Sequence, residues 1–363
     1  MEYNTYQIRN GYDKKTCIVH ARMCAAPNVM YATAQNLDVS GSDLFSHIML
    51  SKSTDGAKTW SKFKPQDGLA PIVLDNKNTL IGCDATPMYH KKTKKVLLLG
   101  HTACYEPNAS APNGKNRRTF YSVMDSKTES FLPMKFVKMP NGFENAGNGS
   151  GQSLETENGD ILIPFYYTSG ANSYFNSSVM RCGFDGKNLS LKEIGNSLSI
   201  DVSDNPRGVY EPSVIKYKNT YFLTMRSDMF GYVSTSSDGL NFSSPQKWIW
   251  EDGEILPNYN TQQHWLLSED NLYLVYTRRG ADNDHVFRHR APLFAARVIF
   301  KNGIVSLERQ SEFIVVPERG ARLGNFGVAN SENESYVMAA EWMQPASCEK
   351  YGSDNAIFIC KIK

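Results

Sequence analysis

The sequence predicts an all-β protein, and three features of the chain support this fold class. Extended helical periodicity of apolar residues is nearly absent from the 363 residues. Short apolar or alternating runs rich in β-branched and aromatic residues recur instead, each bounded by Gly, Asn, Asp or Pro. A Ser-x-Asp-Gly turn followed by an aromatic residue occurs twice. The chain is therefore expected to consist of short strands joined by tight turns.

Six runs illustrate the strand pattern, and they are distributed along the chain at positions 95–99, 160–167, 221–225, 272–277, 295–300 and 335–340. Turn signals such as Asn158-Gly159 and Asn302-Gly303 lie between the runs. No Pro/Ser-rich linker divides the sequence. Residues 1–363 are therefore predicted to form a single domain.

Composition excludes several classes of partner. The formal net charge is only +2, which does not indicate a nucleic acid ligand. No stretch approaches 18 apolar residues, so we predict no membrane span. The polar start Met1-Glu2-Tyr3-Asn4 is unlike a signal peptide, which favours a cytoplasmic protein, or a periplasmic or secreted one whose leader was trimmed. The seven cysteines are an odd number, which argues against a disulfide scaffold, and most are expected to be buried thiols. The protein is expected to be a monomer or a weak homo-oligomer.

The two repeated turns occupy residues 53–60 and 236–242. In each, the Asp side chain can accept hydrogen bonds from backbone N–H groups, and Gly supplies a positive φ. Both turns resemble the Asp box, or BNR repeat, of sialidases and related β-propellers. The resemblance implies a sialidase-like β-propeller. Asp55 and Asp238 lie 183 residues apart, and blades of roughly 40–60 residues give six or seven blades, with seven favoured.

A first group of candidate site residues is the pair Glu211 and Arg226, which lie 15 residues apart, about the length of one hairpin. Two neighbouring inner strands could bring the pair to the propeller axis. The arrangement resembles that of sialidases, in which several Arg side chains bind the substrate carboxylate and a Glu activates a Tyr. The resemblance implies contributions from Arg22, from Arg288 or Arg290, and from an acidic residue, for which Asp43 is the candidate. Alternatively, the Glu–Arg pair only closes the central channel.

A second group consists of His101, Tyr166 or Tyr167, and Arg181, each at or near the end of an apolar strand. Their order resembles that of propeller polysaccharide lyases acting on rhamnose–uronate linkages, the ulvan lyase and rhamnosyl-glucuronate lyase type. That resemblance implies proton transfer by His and Tyr and neutralisation of the uronate by Arg, which β-elimination requires because the proton next to a carboxylate is weakly acidic. The alternative for His101 is a hydrogen-bonded core histidine.

A third group lies in the last third of the chain, where Arg and His side chains are concentrated among aromatic residues. This stretch resembles uncharacterised bacterial propellers labelled sialidase-like, and that resemblance covers most of the chain. The group suits an anionic sugar, with Trp265 for stacking, and its candidate binding residues are His264, Trp265, Arg288, His289 and Arg290. No cofactor is expected, and a divalent cation at His264, His285 and His289 is the alternative. The alternative is a polar network that closes the ring of blades.

The leading hypothesis is an enzyme that cleaves an acidic, uronate-containing oligo- or polysaccharide by β-elimination. Its catalytic residues would be His101, Tyr166, Arg181 and Arg226, with Arg22 and Glu211 among the substrate-binding residues. The alternatives are an exo-acting glycoside hydrolase of the sialidase type and a non-catalytic carbohydrate-binding propeller. An Asp-box fold is compatible with all three.

Overall fold

The computed structural model describes residues 2–170, 173–203, 205–331 and 334–363. In these ranges the strands form six antiparallel sheets, which confirms the predicted all-β propeller. The favoured number of seven blades is wrong. The loops between strands are long enough that each blade takes about 60 residues on average, so six blades account for the chain.

The first three blades contain most of the long strands. Strand β1 (Tyr3–Arg9) precedes them and pairs with the last strand of the chain. Blade 1 consists of β2 (Thr16–Ala26), β3 (Val29–Asp38), β4 (Leu44–Ser53) and β5 (Lys64–Pro65). Blade 2 consists of β6 (Ile72–Val73), β7 (Thr79–His90), β8 (Lys95–Tyr105), β9 (Thr119–Asp125), β10 (Ser130–Phe131) and β11 (Lys135–Phe136). Blade 3 consists of β12 (Glu144–Gly147), β13 (Leu154–Glu155), β14 (Ile161–Thr168), β15 (Asn176–Phe184) and β16 (Leu189–Ile194).

The last three blades complete the ring. Blade 4 consists of β17 (Tyr210–Tyr217), β18 (Thr220–Arg226), β19 (Gly231–Ser236) and β20 (Gln246–Lys247). Blade 5 consists of β21 (His264–Ser268), β22 (Asn271–Tyr276), β23 (Leu293–Lys301), β24 (Ile304–Leu307) and β25 (Phe313–Val316). Blade 6 consists of β26 (Gly327–Asn330), β27 (Ser335–Ala340) and β28 (Ile357–Ile362), with β1 as its outer strand.

Helical structure in the described ranges is confined to 3-10 turns at Asp67–Leu69, Phe287–His289, Arg309–Ser311 and Ala346–Tyr351. None of the described helices has the length and apolarity that a membrane crossing requires.

The ring closes through the inner strands and through apolar clusters between blades. Strand β2 packs against β7 on one side and against β26 on the other, so the first and last blades are neighbours. Large buried side chains fill the interfaces, such as Trp248 and Trp265 between blades 4 and 5. All seven cysteines are free and buried, as their odd number suggested.

Both Asp boxes form the expected turns, each between the third and fourth strands of a blade. In blade 1, Asp55 accepts hydrogen bonds from Ser53 Oγ at 2.8 Å and from the Thr59 N–H at 2.9 Å. In blade 4, Asp238 accepts from the Leu240 and Asn241 N–H groups at 2.8 and 2.7 Å. Blades 1 and 4 are opposite each other in the ring, so one Asp box lies on each side of it.

Candidate active site

A pocket of about 400 Å³ lies at the axial end of the propeller where β2, β7 and β17 begin. Side chains near the starts of β2, β7 and β17 line it, together with side chains near the ends of β8 and β18. The Asp boxes lie at the other end, because each follows a third strand, which runs in the same direction as the first. The pocket is therefore separated from the structural turns that predicted the fold.

β-Bulges aim several polar side chains at this pocket. The pairing register shifts between Val19 and Arg22 in blade 1, and between corresponding residues in blades 2, 3 and 4. Inside three of these bulges lie His20, Asp84 and Glu211, with φ of 56°, 52° and 49°. A bulge interrupts the alternation of side chains along a strand and redirects the extra residue. The bulges thus turn polar residues of inner strands towards the axis.

One wall of the pocket is cationic. Arg226 ends β18, Arg288 and Arg290 lie in the turn before β23, and Arg322 lies between β25 and β26. Arg226 is neutralised by Glu211, whose carboxylate oxygens accept from its Nη1 at 2.8 and 2.6 Å. Within the described part of the chain, the other three guanidinium groups have no carboxylate within ion-pair distance. The wall therefore carries positive charge that no ion pair in the described ranges neutralises, although Asp43 attracts Arg322 from a longer distance.

Burial accentuates this imbalance. Burial lowers the pKa of Arg290 well below its usual value, and neighbouring guanidinium groups lower it further. Burial also lowers the pKa of Arg322 to about 10. Arg322 stacks on the Trp342 ring, with its Cζ 4.3 Å from the ring centroid. Arginine side chains keep their proton at neutral pH in proteins, so an anion would relieve the repulsion between these guanidinium groups.

The neutral side chain of Asn260 connects the arginines. Its Oδ1 accepts from Arg226 Nη2 at 2.7 Å and from Arg207 Nη2 at 3.1 Å. Its backbone oxygen accepts from Arg290 Nε and Nη2 at 3.1 and 2.7 Å. Asn260 itself has φ of 47°, a conformation that Asn tolerates better than most residues. It positions three guanidinium groups without neutralising any of them.

The floor of the pocket holds a largely buried carboxylate, Asp84, whose side chain is 14% exposed. Its Oδ1 accepts from Ser150 Oγ at 2.6 Å and from Arg22 Nη2 at 3.1 Å. His20 Nε2 lies 3.3 Å from the same oxygen, and His101 Nε2 lies 3.8 Å from Oδ2. Burial raises the pKa of Asp84, but the surrounding donors and cations outweigh burial and hold it well below its usual value. Asp84 is therefore a permanent anion at neutral pH.

Hydrogen bonds determine which nitrogen of each floor histidine carries a proton. Gln35 donates both amide hydrogens to carbonyl oxygens, so its Oε1 accepts from His20 Nδ1 at 3.2 Å. His101 Nδ1 accepts from the Gly149 N–H at 3.0 Å, which leaves the hydrogen on Nε2. Burial lowers the pKa of His101 to about 3. His101 is therefore neutral at pH 7 and presents a donor, not a free lone pair, towards Asp84.

The proton positions bear on metal binding. Among the described residues, the group of side chains that could together hold a metal ion is Cys83, Asp84 and His101. A metal ligand needs an imidazole lone pair, and the Nε2 of His101 that faces this group carries hydrogen. The group does not fit a cation. A cation site in the last third of the chain has no support either, because His264, His285 and His289 do not form a common ligand set in the described ranges.

The wall opposite the arginines is aromatic. Tyr166, in β14, packs edge-on against His101 with ring centroids 5.9 Å apart. The Arg117 guanidinium lies over the Tyr166 ring at 4.9 Å and over the Phe175 ring at 5.3 Å. Burial raises the pKa of Tyr166 far above its usual value. The Tyr166 hydroxyl is therefore protonated at neutral pH.

The pocket brings together six of the predicted site residues from four blades, namely His101, Tyr166, Glu211, Arg226, Arg288 and Arg290. Arg22 lies directly beneath the floor: it is fully buried and hydrogen-bonded to Asp84, Ser150, Gln262 and the Phe326 carbonyl. Arg22 can support the site through Asp84. The prediction that Arg22 contacts the substrate directly is wrong, because its side chain is fully buried.

Four further predictions from the sequence are corrected by the structure. Arg181 lies beside the Asp box of blade 4, where it donates to the Asp238 carbonyl. Its partner in the sheet is Leu162, four residues along β14 from Tyr166, so Arg181 lies outside the pocket. Trp265 is fully buried between blades, so it cannot stack on a sugar. His264 is buried against Phe326 and hydrogen-bonded to Ser213 Oγ, and it does not line the pocket. His289 bonds to Tyr259 and Asp284 behind the arginine wall.

Sequence reasoning missed other pocket residues, including His20, Asp84, Arg117, Arg322 and Trp342. His20 and Asp84 lie in runs whose alternation predicts an ordinary strand, and the bulge that redirects them has no sequence signature. Arg322 belongs to the Arg-rich stretch already singled out. Asp43, considered only as the acidic residue of the sialidase resemblance, does line the pocket.

No family model and no curated protein matches this chain. Solved structures do match. A Trypanosoma rangeli sialidase in complex with the inhibitor DANA superposes with a TM-score of 0.66 at 14% identity, covering 99% of this chain and 59% of that one. The chain is similar in fold to sialidases. Hadza microbial sialidase Hz136 matches with a TM-score of 0.65 at 11% identity, covering 99% of this chain and 68% of that one.

A phage phi92 endosialidase also matches, with a TM-score of 0.60 at 11% identity, covering 99% of this chain and 69% of that one. This chain thus spans about three fifths of the length of the trypanosomal sialidase. At these identities the likeness concerns the fold. It supports the sialidase-like part of the sequence prediction and leaves the resemblance to polysaccharide lyases a prediction.

Proposed function

We propose that this protein is a carbohydrate-active enzyme that hydrolyses a glycosidic bond of a sugar carrying a carboxylate. The observation that carries the proposal is the arginine wall, on which Arg288, Arg290 and Arg322 have no carboxylate partner in the described ranges. Guanidinium groups bind carboxylates through paired, charge-assisted hydrogen bonds. A cluster of them that the protein does not neutralise is suited to an anionic ligand.

The size and composition of the pocket support a sugar-sized ligand. A cavity of about 400 Å³ falls within the range of about 300–1,000 Å³ that small-molecule sites occupy. Asp84 on the floor accepts hydrogen bonds and stays ionised, which suits sugar hydroxyl groups. A ligand with a carboxylate on one side and hydroxyls on the other matches both surfaces. The solved structures of similar fold are of sialidases, which is consistent with this class of substrate.

Two carboxylates from different blades are candidates for the chemistry. Asp43, in the turn before β4, would protonate the glycosidic oxygen as the bond to the anomeric carbon breaks. Glu211 would take a proton from the water that attacks that carbon, so that one water is consumed for each bond cleaved. The tyrosines that follow Arg290 in the sequence, Tyr336 and Tyr351, do not line the pocket, so neither is placed to act as a nucleophile. The aromatic residue after Arg290 that does line the pocket is Trp342.

β-Elimination is the second candidate. It requires a Tyr, a His and an Arg close together, and the side chains of Tyr166, His101 and Arg117 lie close together in the pocket. Two properties of these residues favour hydrolysis over it. The lone pair of His101 Nδ1 is occupied by the Gly149 N–H, so His101 can only donate. Burial keeps Tyr166 protonated, which disfavours it as a base.

The test is product analysis with two sets of substrates. Fluorogenic glycosides of sialic acid, of 2-keto-3-deoxynonulosonic acid and of glucuronic acid report hydrolysis. Ulvan and gum arabic report elimination through ultraviolet absorbance of an unsaturated uronate. We expect release of a saturated acidic sugar, abolished by Asp43→Asn and by Arg290→Met. The matched control is Arg181→Met, at an arginine outside the pocket. An unsaturated product would favour the lyase, and binding without turnover on every substrate would favour the non-catalytic propeller.

A further inference from the structure

Arg117 is a second cationic locus in the pocket, separate from the arginine wall. It precedes β9 in blade 2, and its backbone N–H donates to Asn145 Oδ1 at 2.8 Å. Its guanidinium rests on the rings of Tyr166 and Phe175, at 4.9 and 5.3 Å from their centroids. Stacking on two aromatic rings holds the guanidinium plane in a defined orientation. Arg117 is therefore a fixed charge at the pocket surface.

The charge of Arg117 has no anionic partner. Among the described residues, no carboxylate lies within ion-pair distance of Arg117, and its Nη1 is buried without any hydrogen-bond acceptor. A buried donor on a charged group that is left unpaired is costly, and proteins retain such groups where a ligand completes them. Arg117 lines the same pocket as Arg290.

The two cationic loci face each other across the propeller axis. Arg117 and the rings beneath it belong to blades 2 and 3, whereas Arg290 and Arg322 belong to blade 5 and the connection to blade 6. In a ring of six blades these positions are diametrically opposite. Because the two loci lie on opposite sides of one pocket, a ligand that satisfies both is best matched by two separated anionic groups.

We propose that the substrate is dianionic: an acidic sugar whose carboxylate binds the arginine wall and whose second oxyanion binds Arg117. The inference rests on the proposed function and narrows its substrate class. Two sources share this chemistry, a sulfate ester on the same sugar and the carboxylate of a neighbouring uronate. Lys115, which also lines the pocket beside Arg117, adds positive charge on that side.

The test measures binding of matched ligands by calorimetric titration. The probes are sialic acid and methyl glucuronide, a monosulfate ester of each, and a diglucuronate disaccharide. We expect at least one dianionic probe to bind the protein about tenfold more tightly than its parent acid, since a charge-assisted hydrogen bond has about that effect. The sulfate esters and the disaccharide distinguish the two sources of the second charge.

Three variants assign the effect to Arg117. Arg117→Met is expected to abolish the preference for the dianion, measured as the ratio of its affinity to that of the parent acid, and Arg117→Lys is expected to keep part of this preference. The matched control is Arg118→Met, because Arg118 is exposed, lies over Phe136 at 5.6 Å and does not line the pocket. If Arg117→Met does not fold, the preference for the dianion is compared between Arg117→Lys and the wild-type protein, and we expect it to be smaller in the variant.

The outcomes separate the two proposals. If neither parent acids nor dianions bind the wild-type protein, the proposed function fails, and the dianionic substrate fails with it. If the parent acids bind but no dianion gains affinity, only the dianionic substrate is overturned. It is also overturned if a dianion gains affinity that Arg117→Met leaves unchanged.

Discussion

Replacing Asn260 by aspartate is expected to stabilise the protein and to weaken its binding of acidic sugars. Asn260 Oδ1 accepts from Arg226 and Arg207, and its carbonyl accepts from Arg290. The substitution preserves shape and the acceptor but adds a negative charge among three guanidinium groups. One unit of the excess positive charge of the arginine wall would then be balanced by the protein itself.

The magnitudes follow from the geometry. Charge-assisted hydrogen bonds are about twice as strong as neutral ones, so exchanging the acceptor in two bonds of 2.7 and 3.1 Å should add about 1–2 kcal/mol to the free energy of unfolding after burial costs. A ligand carboxylate about 7 Å away would be repelled by about 2 kcal/mol at an effective dielectric constant of about 20. That repulsion corresponds to an affinity about thirtyfold weaker.

Two measurements test the prediction, thermal unfolding and titration with sialic acid and methyl glucuronide. The new carboxylate would have a folded-state pKa below its unfolded value of about 3.9, so its stabilisation is present above that pH and is lost as the pH falls. The matched control is Asn188→Asp, next to the Lys135 ammonium but outside the pocket. Tighter or unchanged ligand binding by Asn260→Asp, or a lower melting temperature at neutral pH, would refute the reasoning.

Three further predictions concern other parts of the molecule. Glu211→Gln leaves the charge of Arg226 uncompensated at a buried site, so denaturant unfolding should give a loss of about 3–5 kcal/mol; a loss below 1 kcal/mol would contradict this. Hydrogen bonds from Thr59 and Ser53 lower the pKa of Asp55 to about 2. The melting-temperature difference between wild type and Asp55→Asn should therefore be full above pH 4 and shrink as the pH falls towards 2; a difference independent of pH would contradict it. Trp265→Ala should cost about 3–5 kcal/mol of stability because the side chain is fully buried, without a selective loss of ligand affinity, which calorimetry would reveal.

The strand pattern and the Asp boxes were sufficient to predict the architecture. Side-chain alternation and turn residues act over a few positions, so they can be recognised in sequence. The boxes at Asp55 and Asp238 are local hydrogen-bonded turns, and both formed as expected. The number of blades was less accessible, because loop lengths vary and no local signal separates a long blade from two short ones.

The candidate site was only partly predictable. Glu211 and Arg226 are near in sequence and paired across one hairpin, so their contact could be anticipated. Arg181 and Trp265 follow the same rule of polar or aromatic residues near strand ends. They were misassigned because the rule does not say which axial end, or which face of the sheet, a side chain occupies.

By itself, the sequence determined the fold class, the structural turns and a surplus of arginine in the last third of the chain. Only the tertiary structure decided which of those charges meet. The β-bulges at His20, Asp84 and Glu211 reverse the direction of side chains that a regular strand would hide. Closure of the ring then brings Arg117 opposite Arg290, although 173 residues separate them. Bulges and ring closure depend on how separate strands pair and pack, which is why neither could be predicted from the sequence alone.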